Sequence, residues 1–219
     1  MIIEFFGLPG VGKTTISSHV VEKLKNKGWI VKNGTIDRFS FKKRVFFKLL
    51  FAFLSLIKEF HYSILLLREG IKIHASINDF INILYLNFQY HRANNDSNEK
   101  KIWVFDQGLL QAYWSICFYC GKSHYLFFLL SQKFNSVVIV EAQLEIVKKR
   151  LEMRIDKKSR MQKTGISDKK IHAGKLLQDQ IINLLEYTKQ KNILYRSIKI
   201  NSELCSDILA EKILTNLEL

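Results

Sequence analysis

Proline is nearly absent from this chain. Pro9 is the only one in 219 residues, and it stands inside a glycine-bearing segment close to the start. No proline-rich linker exists, and no internal repeat or low-complexity run takes its place. Three cysteines are too few for a disulfide framework and agree with a reducing compartment. Cys117 and Cys120 spell C-x-x-C, but no second pair completes a zinc site, so both thiols are read as core packing on one apolar helix face. Acidic residues are also scarce: 20 Asp and Glu stand against 34 Lys and Arg, a formal charge of +14. That excess predicts affinity for polyanions, whether nucleotides, nucleic acid or an acidic membrane face, and does not choose among them. Long apolar runs are missing too. The most apolar stretch, Val45 to Ile57, carries Lys48 and spans about a dozen residues where a membrane-crossing helix needs roughly twenty. It is read as a helix buried against its neighbours; the preceding Lys42-Lys43-Arg44 makes peripheral contact of residues 41–57 on an anionic bilayer the alternative. No basic leader comes before the first apolar strand, so a cytoplasmic location is expected.

What is present points to one domain. Apolar residues make up 47% and charged residues 25%, enough to fill a single core over residues 1–219. Ile2 to Phe6 reads as a buried strand, and Thr15 to Lys27 as a helix ended by Gly28. Further strands are expected at Trp29–Val31, Lys101–Asp106, Ser136–Glu141 and Ile193–Ile200, with a closing helix over Asp207–Leu217. Strands alternating with helices predict an α/β fold of three layers around a parallel sheet. Two helical inserts interrupt the pattern, at about 41–92 and Leu109–Phe134, and the polar stretch His91–Lys101 reads as an exposed loop.

The chemistry is carried first by Gly7-Leu8-Pro9-Gly10-Val11-Gly12-Lys13-Thr14, which fits G-x-x-x-x-G-K-[ST] between a strand and a helix. In such a loop the glycines let backbone N–H groups face phosphate oxygens. Lys13 supplies a point charge for the β- and γ-phosphates, and the Thr14 hydroxyl can ligate Mg²⁺. Thr15 is placed to reach the α-phosphate. Asp106, ending the third apolar strand, is expected to face the loop and hold the metal's water shell or take a proton from an attacking hydroxyl. Gln107 follows where hydrolytic ATPases commonly place a second carboxylate, which argues for transfer over hydrolysis. Neither an Asn-Lys-x-Asp guanine motif nor a Leu-Ser-Gly-Gly signature occurs. Arg150 and Arg154, four apart, are expected on one helix face, with Arg160 just beyond. Guanidiniums there can neutralise charge on a transferring phosphoryl group, or form a solvated basic face. Asp37-Arg38 can either bind an acceptor or form a turn ion pair.

Taken together, GLPGVGKTT, VFDQG and VVIVEAQLEIVKKRLEMR leading to KKSR resemble the nucleoside and nucleotide kinase group of the P-loop proteins, in a thymidylate kinase-like manner. Thymidylate kinases are expected to carry Asp-Arg-Tyr where this chain has Asp106-Gln107-Gly108, so the subfamily is open. The resemblance implies transfer of the γ-phosphoryl of ATP, with Mg²⁺, to a small acceptor such as a nucleoside, nucleotide or related metabolite. It implies a lid over about 150–170 bearing Arg150, Arg154 and Arg160. It also implies that INSELCSDILAEKIL forms the last strand and helix, whose connecting loop passes the nucleotide base. Two rival readings stand beside this: a kinase of nucleic-acid 5′ ends, and a nucleotide-gated protein that docks on a membrane or partner with little turnover.

Overall fold

The computed structural model describes residues 1–34, 41–96, 100–154, 160–163, 165–190 and 196–219. Asp37 and Arg38 lie outside the described residues. Among the described residues five parallel strands form one sheet: β1 (Ile2–Phe6), β2 (Ile30–Asn33), β3 (Lys101–Phe105), β4 (Ser136–Glu141) and β5 (Arg196–Asn201). Their spatial order is β2-β3-β1-β4-β5. The first strand is therefore the central one. Glu4 stands opposite Phe105 on β3 and Val137 on β4.

All five residues of β1 are buried, because helices cover the sheet on both faces. Helix α1 (Lys13–Asn26) packs with the closing helix α10 (Ser206–Leu217) over one side. Helices α4 (Ile77–Asn94) and α5 (Leu109–Tyr119) pack over the other. Phe5, Phe6, Ile2 and Ile3 are at most 1% exposed, and each such burial is worth about 2 kcal/mol relative to exposure. Helix α1 starts two residues earlier than its apolar spacing suggests, directly on leaving the loop. It ends at Asn26, with Gly28 in the left-handed region at φ +84°.

Sequence reading places the second strand at Trp29–Val31. The strand runs one residue later and further, Ile30–Asn33, half-buried at Val31 and otherwise exposed, because among the described residues a strand pairs with it only on its β3 side. The first insert is three helices: α2 (Phe41–Lys58), α3 (Phe60–Lys72) and α4. Ser76 opens α4 with a capping box: its hydroxyl accepts from the Asp79 N–H, and the Asp79 carboxylate accepts from the Ser76 N–H. Helix α4 runs to Asn94 with Ala93 buried, so His91–Asn94 is not the exposed loop that its polarity suggests. The second insert is α5 and α6 (His124–Ser131). Cys117 is half-buried on α5, and burial pushes its thiol pKa up, but Cys120 ends the helix and is exposed. The expected core pair is thus one packed thiol and one solvated one.

Helix α7 (Leu144–Glu152) follows β4, and α9 (Asp168–Gln190) packs against α7, α5 and α6. Between them lies α8 (Arg160–Lys163). Arg154 falls beyond the end of α7, so it does not share a helix face with Arg150 as four-residue spacing predicts. Nothing in Glu152-Met153-Arg154 marks that stop in the sequence.

Candidate active site

Sheet order brings the site together. Neighbouring β1 and β3 run parallel, so the loop leaving β1 and the residue leaving β3 emerge side by side at the carboxyl edge, where the chain departs in opposite directions from the central strand. The loop, residues 7–12, turns sharply there. Gly10 and Gly12 have φ of +88° and +103°, values that side chains with a Cβ rarely adopt. Gly7 is required for a different reason: a Cβ on it would stand 2.3 Å from the Val140 carbonyl oxygen. Leu8 and Val11 are buried and Pro9 is half-buried, so the loop rests on the core.

Gly12 caps α1 without a side chain, and the first turn holds no acidic residue. The N–H groups of that turn and the positive end of the helix dipole are therefore available to an anion. Lys13 starts the helix and folds back, its ammonium donating to the carbonyls of Gly7 (2.6 Å) and Leu8 (2.8 Å). Burial lowers its pKa to about 7; the Asp106 carboxylate opposes that shift and the Arg154 guanidinium adds to it. Thr14 and Thr15 are exposed on the same turn. The Thr14 hydroxyl donates to Asp106 Oδ2 at 3.3 Å, although 92 positions separate the two. Asp106 itself is buried at the end of β3.

Arg150 does not project into open space. Its Nη1 donates to the Val11 carbonyl and to the Ser202 hydroxyl, both at 3.1 Å, and its Nη2 reaches the Ser202 carbonyl at 3.4 Å. It ties the 7–12 loop to the turn between β5 and α10. Arg154 is exposed yet near enough to Lys13 to depress its pKa. Arg160 opens α8, and its side chain lies outside the described residues. The following residues of α8, Met161 and Gln162, are buried, and Gln162 Nε2 donates to the Leu151 carbonyl at 2.9 Å, anchoring this segment to α7.

Two residues that the motif reading passes over support the Asp106 turn. Glu4, one of five residues in an otherwise apolar strand, is 1% exposed. Its carboxyl accepts from the Leu110 N–H at 2.7 Å and from the Tyr90 hydroxyl. Helix α5 has no side-chain cap of its own, so a residue of the central strand caps it instead. Burial raises the Glu4 pKa to about 7, opposed by those hydrogen bonds. Gly108 leaves room for this arrangement: a Cβ there would stand 2.4 Å from both Glu4 Cδ and the Tyr90 hydroxyl oxygen. The one signal in the sequence was an acid at an inward position of a buried strand.

The oxygens of Thr14 and Asp106 are hard donors suited to Mg²⁺, an ion held through one or two protein ligands plus phosphate oxygens and water. Among the described residues no group of three or more His, Cys, Asp or Glu offers a cage for a metal held by protein alone.

No protein-family model matches the chain, and no curated protein matches it by sequence. Solved structures do. Deoxyadenosine kinase from M. mycoides with bound dCTP is 17% identical with a TM-score of 0.52, covering 100% of this chain and 99% of that one. The same enzyme with bound dATP is 16% identical with a TM-score of 0.52, covering 100% of both chains. The YorR protein from Bacillus subtilis, in complex with phosphorylated GDP, is 16% identical with a TM-score of 0.50, covering 100% of this chain and 96% of that one. At such identities the likeness is one of fold: the α/β fold of this chain, with its parallel five-stranded sheet among the described residues, is similar to that of these structures.

Proposed function

We propose that this protein is an ATP-dependent phosphotransferase that moves the γ-phosphoryl group to a small acceptor, of the nucleoside or nucleotide class. The observation that carries the reading is the meeting of the Thr14 hydroxyl with the Asp106 carboxylate at 3.3 Å, beside an uncapped helix start and a buried lysine. That the likeness in fold includes a kinase holding dATP or dCTP supports the acceptor class.

In this reading the N–H groups of residues 10–15 hold the phosphates of ATP. Lys13 exchanges its carbonyl partners for β- and γ-phosphate oxygens. That contact restores its full charge in a buried site, where a fixed cation counts for more than in water. Thr14 and Asp106 hold Mg²⁺, which supplies neutralisation of the phosphate charge. Asp106 also orients the acceptor hydroxyl or its proton, and Arg154, with Arg160, steadies charge on the transferring group. Arg150 keeps the loop and the β5–α10 turn in register, which fixes where the nucleotide base lies. Asp37 and Arg38 are assigned to the acceptor. Gln107, in place of a second carboxylate, leaves water without a base and favours transfer over hydrolysis.

The test is incubation with γ-labelled ATP and Mg²⁺ and separate pools of nucleosides, nucleoside monophosphates, sugars and short oligonucleotides, with Lys13→Ala as control. Label on a nucleoside or nucleotide, lost in the variant, is the expected result. Label on oligonucleotide ends would replace the reading with a 5′-end kinase. Label released only as phosphate, or retained on ATP, would overturn transferase activity.

A further inference from the structure

Helices α2 and α3 are buried on one side only. On the inner face of α2, Ala52 and Ser55 are buried, and Ser55 accepts from Asn87 of α4 at 3.0 Å. On the outer face Phe46, Leu49, Phe53 and Ile57 recur at intervals of three and four, each between 49% and 62% exposed. Helix α3 continues the pattern with Phe60 and Ile64, 57% and 43% exposed. A solvated helix does not carry such a continuous stripe without a use for it.

The charges beside the stripe are all of one sign. Lys43, Lys58, Arg68 and Lys72 are exposed along the two helices. The acids of the pair are two, and neither faces solvent. Glu59 accepts from Lys133 at 2.5 Å and from Asn87 at 2.6 Å, and Glu69 is 4% exposed and accepts from Lys72 at 2.6 Å. A second copy of this chain would bring like charges together across a two-fold axis. An anionic surface instead complements them. Length and composition agree: no single described helix is long and apolar enough to cross a membrane, whereas Lys43–Lys58 and Phe60–Lys72 qualify together but meet at 116°. A bend that sharp suits a pair lying along an interface rather than passing through it.

We infer that the outer face of α2 and α3 seats this protein on an anionic lipid bilayer, with Phe46, Leu49, Phe53, Ile57, Phe60 and Ile64 entering the headgroup boundary and the flanking Lys and Arg meeting lipid phosphates. This inference stands independently of the phosphotransferase reading, because it rests on the exposed faces of α2 and α3 and on no residue assigned to the candidate active site. It makes the outer helices of the insert an attachment device while the sheet edge carries the chemistry.

The experiment is co-sedimentation of the full chain with phosphatidylcholine vesicles, with and without phosphatidylglycerol. Two variants accompany it: Phe46→Ser/Phe53→Ser/Ile57→Ser, and Lys43→Glu/Lys58→Glu/Arg68→Glu. Circular dichroism and nucleotide binding report that each variant is folded. The native chain is expected to bind the anionic vesicles and to release from them in high salt, and each variant to lose about tenfold or more in partitioning. Equal binding to neutral vesicles, no binding to anionic ones, or retention by the folded charge-reversal variant would overturn the inference. So would a concentration-dependent dimer in sedimentation that the serine variant abolishes, since the stripe would then be a contact between copies.

Discussion

Replacing Glu4 by Gln removes one titrating proton from the centre of the sheet while keeping the size and one acceptor oxygen. The carboxyl titrates at about 7 in the folded protein against an ordinary value of 4.5, because it is wholly buried. Between those two pH values the folded state holds a proton that the unfolded state has released, so stability falls as pH rises. Below 4.5 the contribution is complete, and above about 7 it is gone. The span of about 2.5 pH units, at 1.36 kcal/mol each, amounts to about 3 kcal/mol. A neutral amide has no such dependence. Urea denaturation of both proteins from pH 5 to 8 isolates the group, since every other titrating residue is common to the two curves. The difference between wild type and Glu4→Gln is expected to shift in favour of the variant by about 2 to 3 kcal/mol across that range. Parallel curves would refute the reasoning, because they would mean that Glu4 keeps the same proton in both states.

Gly108→Ala should lower stability by about 1 to 3 kcal/mol, since its methyl group meets Glu4 and the Tyr90 hydroxyl at 2.4 Å. Adding Tyr90→Phe removes one of the clashing atoms and should recover part of the loss; strictly additive melting shifts would count against the clash. Arg150→Lys keeps the charge but cannot span Val11 and Ser202 together, so equilibrium dialysis should show ATP affinity down about tenfold. Unchanged affinity would mean that the bridge between loop and turn is dispensable. Glu59→Gln takes the charge from a carboxylate that Lys133, Asn87 and His91 share at the α2–α3 corner, and should cost about 2 kcal/mol by urea midpoint. A midpoint equal to wild type would show the cluster to be solvated in solution.

The parts of the fold that were legible from sequence are those fixed by nearby residues. The β1 run, the glycine spacing, Lys13-Thr14 and the VFD strand end all signal themselves within a few positions, and the structure brings Thr14 to Asp106 as the order of strands requires. What stayed hidden depends on distant partners. An edge strand and a central strand differ in neighbours, not in composition, so the place of β2 at the rim of the sheet is not readable from Trp29–Val31. Glu4 finds its partners 86 and 106 positions away, which no local pattern encodes. The end of α7 carries no glycine or proline, so Arg154 read as helical. Helix α2 is apolar nearly all round, and only the packing of α4 on one side shows which face is left outward.

The central place of β1 also bears on how the chain is made. Ile2–Phe6 emerges well before Lys101–Phe105 and Ser136–Glu141, its partners on either side. At translation rates of 5 to 20 residues per second the strand waits on the order of ten seconds for both neighbours. During that interval five apolar-rich residues present two unpaired edges, a template for pairing with the wrong chain. The α2–α4 helices, built from contacts close in sequence, are complete before the sheet can close. A nascent chain thus completes the α2–α4 helices first, and the sheet edge that joins the 7–12 loop to Asp106 last.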